Sequence, residues 1–136
     1  MKKLVTSIAL VCLAISTNSF ASEFMNLEQR QATYCGKTIN GENVKNGMTF
    51  KVYIDAECKT NTIHFIKGKR AGQTHVRKIV ESYPNGETCM KWKNGNQVCN
   101  KVKDMGDGTY QVTKTNGKWK GQHYVTHSNI VDGNQL

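Results

Sequence analysis

The sequence predicts an all-β domain, a small antiparallel meander of about seven short strands that closes into a barrel or sandwich and carries two disulfides. Three observations lead there. Turn-forming pairs recur at roughly ten-residue intervals, among them Asn85-Gly86, Asn94-Gly95, Asp107-Gly108 and Asn116-Gly117. The segments between them alternate apolar and polar residues, and no long amphipathic helical pattern interrupts them. The one proline, Pro84, stands in a predicted turn, where it obstructs no strand ladder.

The first residues stand apart from this pattern. Met1-Lys2-Lys3 is a positive start, and Leu4 to Ile15 is an apolar run too short to cross a bilayer. Ser19-Phe20-Ala21 then supplies the small residues of an export cleavage site. Residues 1–21 therefore read as a Sec signal peptide, with the mature chain beginning at Ser22, no stable membrane span after cleavage, and a periplasmic or extracellular destination. Cys12 lies inside the apolar run with no small residue just before it, which argues against lipoprotein processing. The net charge is +9, of which Lys2 and Lys3 contribute two. What remains is basic and of single-domain size, small enough to benefit from covalent staples.

Residues 22–47 read as an N-terminal segment and loop. Ser22 to Gln31 can form a short helix with Phe24, Met25 and Leu27 on one side, while Gly36 to Gly47 is rich in Gly, Asn and Thr. The β domain is expected over 48–127. Phe50, Val52 and Ile54 alternate with Thr49, Lys51 and Tyr53, and Thr62 to Ile66 makes the next strand. Lys67 to Gly72 is a basic turn. Thr74 to Tyr83 follows, with Val76, Ile79 and Val80 as its apolar content and a bulge expected where Lys78-Ile79-Val80 breaks the alternation. Strands are also expected over Thr109–Lys114 and Lys118–Thr126, and residues 128–136 read as a tail.

The best-specified stretch runs from Tyr83 to Val102. With Lys93-Asn94-Gly95 as a three-residue hairpin loop, Trp92 opposes Asn96, Met90 opposes Val98 and Cys89 opposes Cys99. A two-residue Asn94-Gly95 loop would instead place Cys89 opposite Asn100. Opposed cysteines on antiparallel strands meet the separation a disulfide needs, so Cys89–Cys99 is favoured and Cys35–Cys58 is left as the second pair. The same register puts Met90 and Trp92 on one face and Lys91 and Lys93 on the other.

From Asn85 onward the chain resembles a family of small exported proteobacterial proteins with a domain of unknown function. The residues concerned are Asn85-Gly86-Glu87-Thr88-Cys89, Trp92, Cys99, Gly106-Asp107-Gly108-Thr109-Tyr110-Gln111, Asn116-Gly117-Lys118-Trp119 and Asp132-Gly133-Asn134. The family has a glycine-tryptophan before the hairpin where this chain has Lys78-Ile79-Val80. The resemblance implies a lipocalin-like β fold with a cysteine pair across the hairpin, and carries over no catalytic residues.

Four chemistries are open to these residues. Lys91-Trp92-Lys93 and Lys118-Trp119-Lys120 repeat one triplet beside Asn-Gly turns, and Lys67, Lys69, Arg70, Arg77, Lys78, Lys101, Lys103 and Lys114 add charge. Such residues on one face would attract nucleic acids, acidic glycans, teichoic-type polymers or lipid head groups, and the alternative is a solvated wet face with Trp92 in the core. His64, His75, His123 and His127 lie on predicted strands or the tail without metal-ligand spacing, so neither a metal nor a cofactor is expected and no catalytic residue is assigned. A barrel can also hold a ligand inside. Here Phe50, Val52, Ile54, Ile63, Phe65, Val76, Val80, Met90, Trp92, Val98, Tyr110, Val112, Trp119 and Tyr124 are hardly more than a core needs, so a filled interior is expected. Finally, the loops Lys67–Gly72, Pro84–Gly86 and Asn94–Asn96 could present to a partner protein. The expected function is a non-enzymatic binding domain recognising an anionic envelope polymer through its basic, Trp-bearing hairpin face. An inhibitor or immunity-type protein that binds a secreted enzyme ranks second, and a small hydrolase third.

Overall fold

The computed structural model describes residues 23–136, so the signal-peptide reading of residues 1–21 and the reading of Cys12 fall outside the described residues. Eight antiparallel strands close into a barrel: β1 (Lys37–Asn43), β2 (Thr49–Ile54), β3 (Thr60–Lys67), β4 (Thr74–Ser82), β5 (Thr88–Lys91), β6 (Gln97–Asp104), β7 (Tyr110–Lys114) and β8 (His123–Asp132). Each strand pairs with its sequence neighbours, and β1 closes the ring against β8. Closure removes free sheet edges, so the backbone groups of every strand have partners on both sides. Among the described residues the core cluster runs from Met25 to Val125, so residues 23–136 enclose a core of their own.

The barrel spans Lys37 to Asp132 rather than 48–127, with eight strands where seven were expected. The extra strand is β1, Lys-Thr-Ile-Asn-Gly-Glu-Asn, whose loop-like composition concealed it. Its inward positions are Ile39, Gly41 and Asn43, all buried. Gly41 pairs with Phe50, and a Cβ there would fall 2.2 Å from the Phe50 ring. A glycine in a strand signals this kind of close approach as well as a turn. The expected tail at 128–136 is strand as far as Asp132.

Helix α1 (Leu27–Tyr34) lies across one end of the barrel. Asn26 caps it reciprocally: its side chain accepts from Gln29 N, and Gln29 Oε1 accepts from Asn26 N, both at 2.9 Å. Leu27 N donates to Pro84 O, and the buried Tyr34 joins the core. Cys35–Cys58 ties the helix exit to the β2–β3 loop, and Cys89–Cys99 crosses the β5–β6 hairpin in the expected register. The Lys93–Gly95 loop also forms as expected, with Trp92 N donating to Asn96 O and Gly95 at φ 89°. Both disulfides suit an oxidising compartment. No helix of the described residues is long and apolar enough to cross a membrane.

Candidate ligand site inside the barrel

Strand β4 shows how the interior departs from a plain core. The hydrophobic pattern placed Val76 and Val80 inside, but they are 55% and 42% exposed. The inward positions are His75, Arg77 and Ile79. The expected bulge is present as a register shift between Ile79 and Glu81. It lies too late in the strand to bring Val76 inward, and Val80, the extra residue, stays outside. The apolar residues of β4 therefore face solvent, and a guanidinium faces the lumen.

That lumen is not filled. It encloses a cavity of ≈ 170 Å³, whose apolar wall includes Phe50, Ile63, Phe65, Met90, Val112 and Val125. Helix α1 contributes Leu27, Arg30, Gln31 and Tyr34 at one end. At the other end the wall is made by Arg70, Trp92, Lys114 and Trp119, of which Arg70 is exposed. Four cations, Arg30, Arg70, Arg77 and Lys114, thus line the cavity, and no Asp or Glu is among its lining residues.

The two deepest cations are held by neutral acceptors. Arg30 Nη1 donates to Gly86 O and Asn100 O at 3.0 and 2.9 Å, and its Nη2 donates to Asn100 Oδ1 at 2.6 Å. These bonds fasten α1 to the β4–β5 loop and to β6. Arg77 donates from Nε and Nη2 to Asn61 Oδ1 at 3.3 and 2.9 Å, and its guanidinium stacks 4.8 Å from the Trp92 ring centroid. No hydrogen bond from Arg77 Nη1 occurs among the described residues. Arg70 covers the same tryptophan at 5.4 Å, so Trp92 is flanked by two guanidinium groups. His75 stands edge-on to Trp92 at 5.9 Å and to Phe65 at 5.8 Å, which completes an aromatic wall beside Arg77.

The titrating groups respond to this environment. Burial lowers the Arg77 pKa, and lowers that of Arg30 to about 10 against a partial offset from Tyr34 and Tyr124. Burial, reinforced by the fields of Arg30 and Arg77, pushes the His127 imidazole down to about 3. His127 is therefore neutral at physiological pH, and its Nδ1 shares a 3.0 Å hydrogen bond with the Tyr34 hydroxyl. Burial also raises the Tyr34 and Tyr124 phenols, and the nearby arginines only partly oppose it. Tyr124 Oη accepts from Asn100 Nδ2 at 2.9 Å. Asp104 is the acidic residue whose field reaches Tyr34, but its Oδ1 accepts from Gly106 N in the β6–β7 turn, and it pairs with neither arginine. The lumen thus has a net positive field carried by arginines, with polar but uncharged neighbours.

The residues singled out in the sequence gather at one end of the barrel, the end away from α1. Lys67, Lys69 and Arg70 belong to the β3–β4 hairpin, Lys91, Trp92 and Lys93 to β5–β6, and Lys118, Trp119 and Lys120 to β7–β8. Trp92 and Trp119 are half-buried and both line the cavity, while Lys67, Lys69, Lys91, Lys93, Lys118 and Lys120 are exposed. Trp92 is thus interior as expected, but it faces a cavity rather than a filled core. Sequence reasoning counted Arg77 only among surface charges, weighed His127 only as a metal or catalytic histidine, and missed Arg30. The available signal was Arg77, placed two residues from His75 and Ile79 on a strand whose valines alternate out of phase with it.

The described residues contain no cluster of three or more His, Cys, Asp or Glu able to hold a metal. No protein-family model matches the chain, and no curated protein does. Among solved structures, the chain is similar to a Burkholderia vietnamiensis protein provisionally named a beta-lactamase, at 17% identity and a TM-score of 0.49, over 71% of this chain and 94% of that one.

Proposed function

We propose that the barrel binds a small molecule combining one carboxylate-type anion with an apolar body, and releases it unchanged. The observation that carries this reading is the cavity lining of four cations and no acid. Arg77 is half-buried and pairs with no carboxylate among the described residues, whereas charges withdrawn from water are ordinarily paired. Arg77 suits a planar oxyanion: its Nη1 is uncommitted, its plane is fixed by Trp92 and Asn61, and guanidinium groups favour bidentate carboxylate geometry. Phe50, Phe65, Ile63 and Met90 would receive the apolar body. A cavity of about 150 Å³ takes benzene, so the ≈ 170 Å³ here takes one aromatic ring as the apolar body. Binding without turnover is favoured because His127 is held neutral against a phenol, with no carboxylate to orient it as a base.

Calorimetry with phenylacetate and phenylacetamide as matched probes tests the proposal. Saturable binding of the acid, roughly tenfold or more tighter than the amide and lost in Arg77→Met, is the expected result. Equal affinity for the two probes, or binding of the acid unchanged in the variant, would overturn it.

A further inference from the structure

Charge is divided along the barrel axis. The four hairpins at the end away from α1 carry nine cations: Lys45 on β1–β2, Lys67, Lys69 and Arg70 on β3–β4, Lys91 and Lys93 on β5–β6, and Lys114, Lys118 and Lys120 on β7–β8. None of the segments 44–48, 67–73, 91–97 and 114–122 contains an Asp or Glu. The carboxylates collect at the helix end instead, on α1 and its approach (Glu23, Glu28), on β2–β3 (Asp55, Glu57), around β4–β5 (Glu81, Glu87), on β6–β7 (Asp104, Asp107) and at Asp132. Glu42, opposite Thr49 and so level with Lys67, is the one acid at the basic end. Hydrogen bonds join three of the basic hairpins: Lys45 Nζ donates to Gln122 Oε1, Val44 N to Tyr124 O, and Asn116 Nδ2 to Gln97 O, while Arg70 over the Trp92 ring links β3–β4 to β5–β6.

Apolar residues sit among these charges on the same rim. Val44, beside Lys45, is 45% exposed, and Ile66, beside Lys67, is 52% exposed. Trp119, between Lys118 and Lys120, is half-buried. A soluble polyanion rewards the cations alone. An anionic bilayer rewards both parts, since lysines meet headgroups while aliphatic and tryptophan side chains enter the interface. We infer that this basic rim docks on an anionic lipid bilayer surface, with the barrel axis turned toward the bilayer by the opposite charge at the helix end. Arg70, Lys114 and Trp119 belong to both the rim and the cavity wall, but Lys45, Lys67, Lys69, Lys91, Lys93, Lys118 and Lys120 lie outside that wall, so docking does not require the lumenal ligand.

Sedimentation of residues 23–136 with vesicles tests this, using one-third phosphatidylglycerol in phosphatidylcholine against phosphatidylcholine alone at low salt. Binding is expected to the anionic vesicles only, and to weaken steeply as salt shortens the screening length. The triple variant Lys93→Gln, Lys118→Gln, Lys120→Gln should bind roughly tenfold or more weakly. Lys51→Gln, Lys59→Gln, Lys78→Gln removes the same charge from the barrel wall and the helix end, and should bind within about twofold of the parent. Ile66→Ser should weaken vesicle binding at constant charge. Equal losses in the two triple variants would reduce the effect to net charge and overturn the inference. Retention on heparin without vesicle binding would also overturn it, assigning the rim to an anionic polymer. Arg77→Met should leave vesicle binding unchanged, so failure here and failure of the lumenal reading are separable.

Discussion

In an Arg77→Met variant the side chain keeps most of its length but loses its charge and its donors. Asn61 is 4% exposed, and its Oδ1 receives both hydrogen bonds from Arg77. Leaving that oxygen without a donor costs about 1–3 kcal/mol. The stacking on Trp92 at 4.8 Å is lost as well, about 1–2 kcal/mol for a desolvated cation. Against these stands the removal of a guanidinium that burial already penalises and no carboxylate compensates. Replacing buried ions by apolar residues of similar volume is often neutral or stabilising by about 1–4 kcal/mol. Together these run from a loss of about 4 to a gain of about 2 kcal/mol, centred on a loss of about 1, with a roughly tenfold or greater loss of affinity for phenylacetate. Urea unfolding of residues 23–136 reads the first quantity as a shift in midpoint at constant slope, and calorimetry reads the second. A loss of 3 kcal/mol or more with affinity intact would refute the reasoning, and Arg77 would then be a structural brace for Asn61 and Trp92.

Further outcomes follow from other parts of the barrel. His127 is pushed down to about 3, below its ordinary value of 6.5, so the unfolded chain takes up a proton that the folded one refuses. Its contribution is complete above pH 6.5 and is lost as pH falls from there toward 3, on the order of 5 kcal/mol at most. His127→Asn, which keeps an acceptor for the Tyr34 hydroxyl, should flatten that limb of the urea-midpoint profile, and an unchanged slope would count against a neutral buried imidazole. Gly86 has φ +89°, and a Cβ there would fall 1.9 Å from Met25 O, so Gly86→Ala should destabilise by roughly 2 kcal/mol or more and loosen α1, read by amide exchange at Leu27 to Arg30. Replacing Cys89 and Cys99 together by Ser opens a short loop and should lower stability by about 3 kcal/mol, again in urea. An unaltered midpoint would show that the hairpin register stands on Asn94-Gly95 and its neighbours alone.

The parts of the fold legible in the sequence were those governed by local chemistry. Asn94-Gly95 set the β5–β6 register, that register paired Cys89 with Cys99, and the period-two run from Phe50 to Ile54 gave β2. Strand β1 escaped because its inward Gly41 makes room for a phenylalanine on the neighbouring strand, a tertiary requirement with a loop-like local signature. The lumen escaped for a related reason. A hydrophobic-pattern argument assumes that the inner face is the apolar one, and β4 reverses that by pointing His75 and Arg77 inward and Val76 outward. Such reversals are expected where a site displaces a core. The Lys-Trp-Lys triplets were visible as motifs, but their gathering at one barrel end, and the removal of nearly all carboxylates to the other, depend on which hairpins share an end. Only closure of the ring fixes that.

The account rests most heavily on an anion reaching Arg77 inside the barrel. The most direct measurement follows the arginine side-chain Nε–Hε resonances of ¹⁵N-labelled residues 23–136 during titration with phenylacetate. A saturable shift at Arg77, with a smaller one at Arg30 and none on adding phenylacetamide, is the predicted result. Shifts confined to the exposed Arg70, or equal shifts with acid and amide, would contradict it.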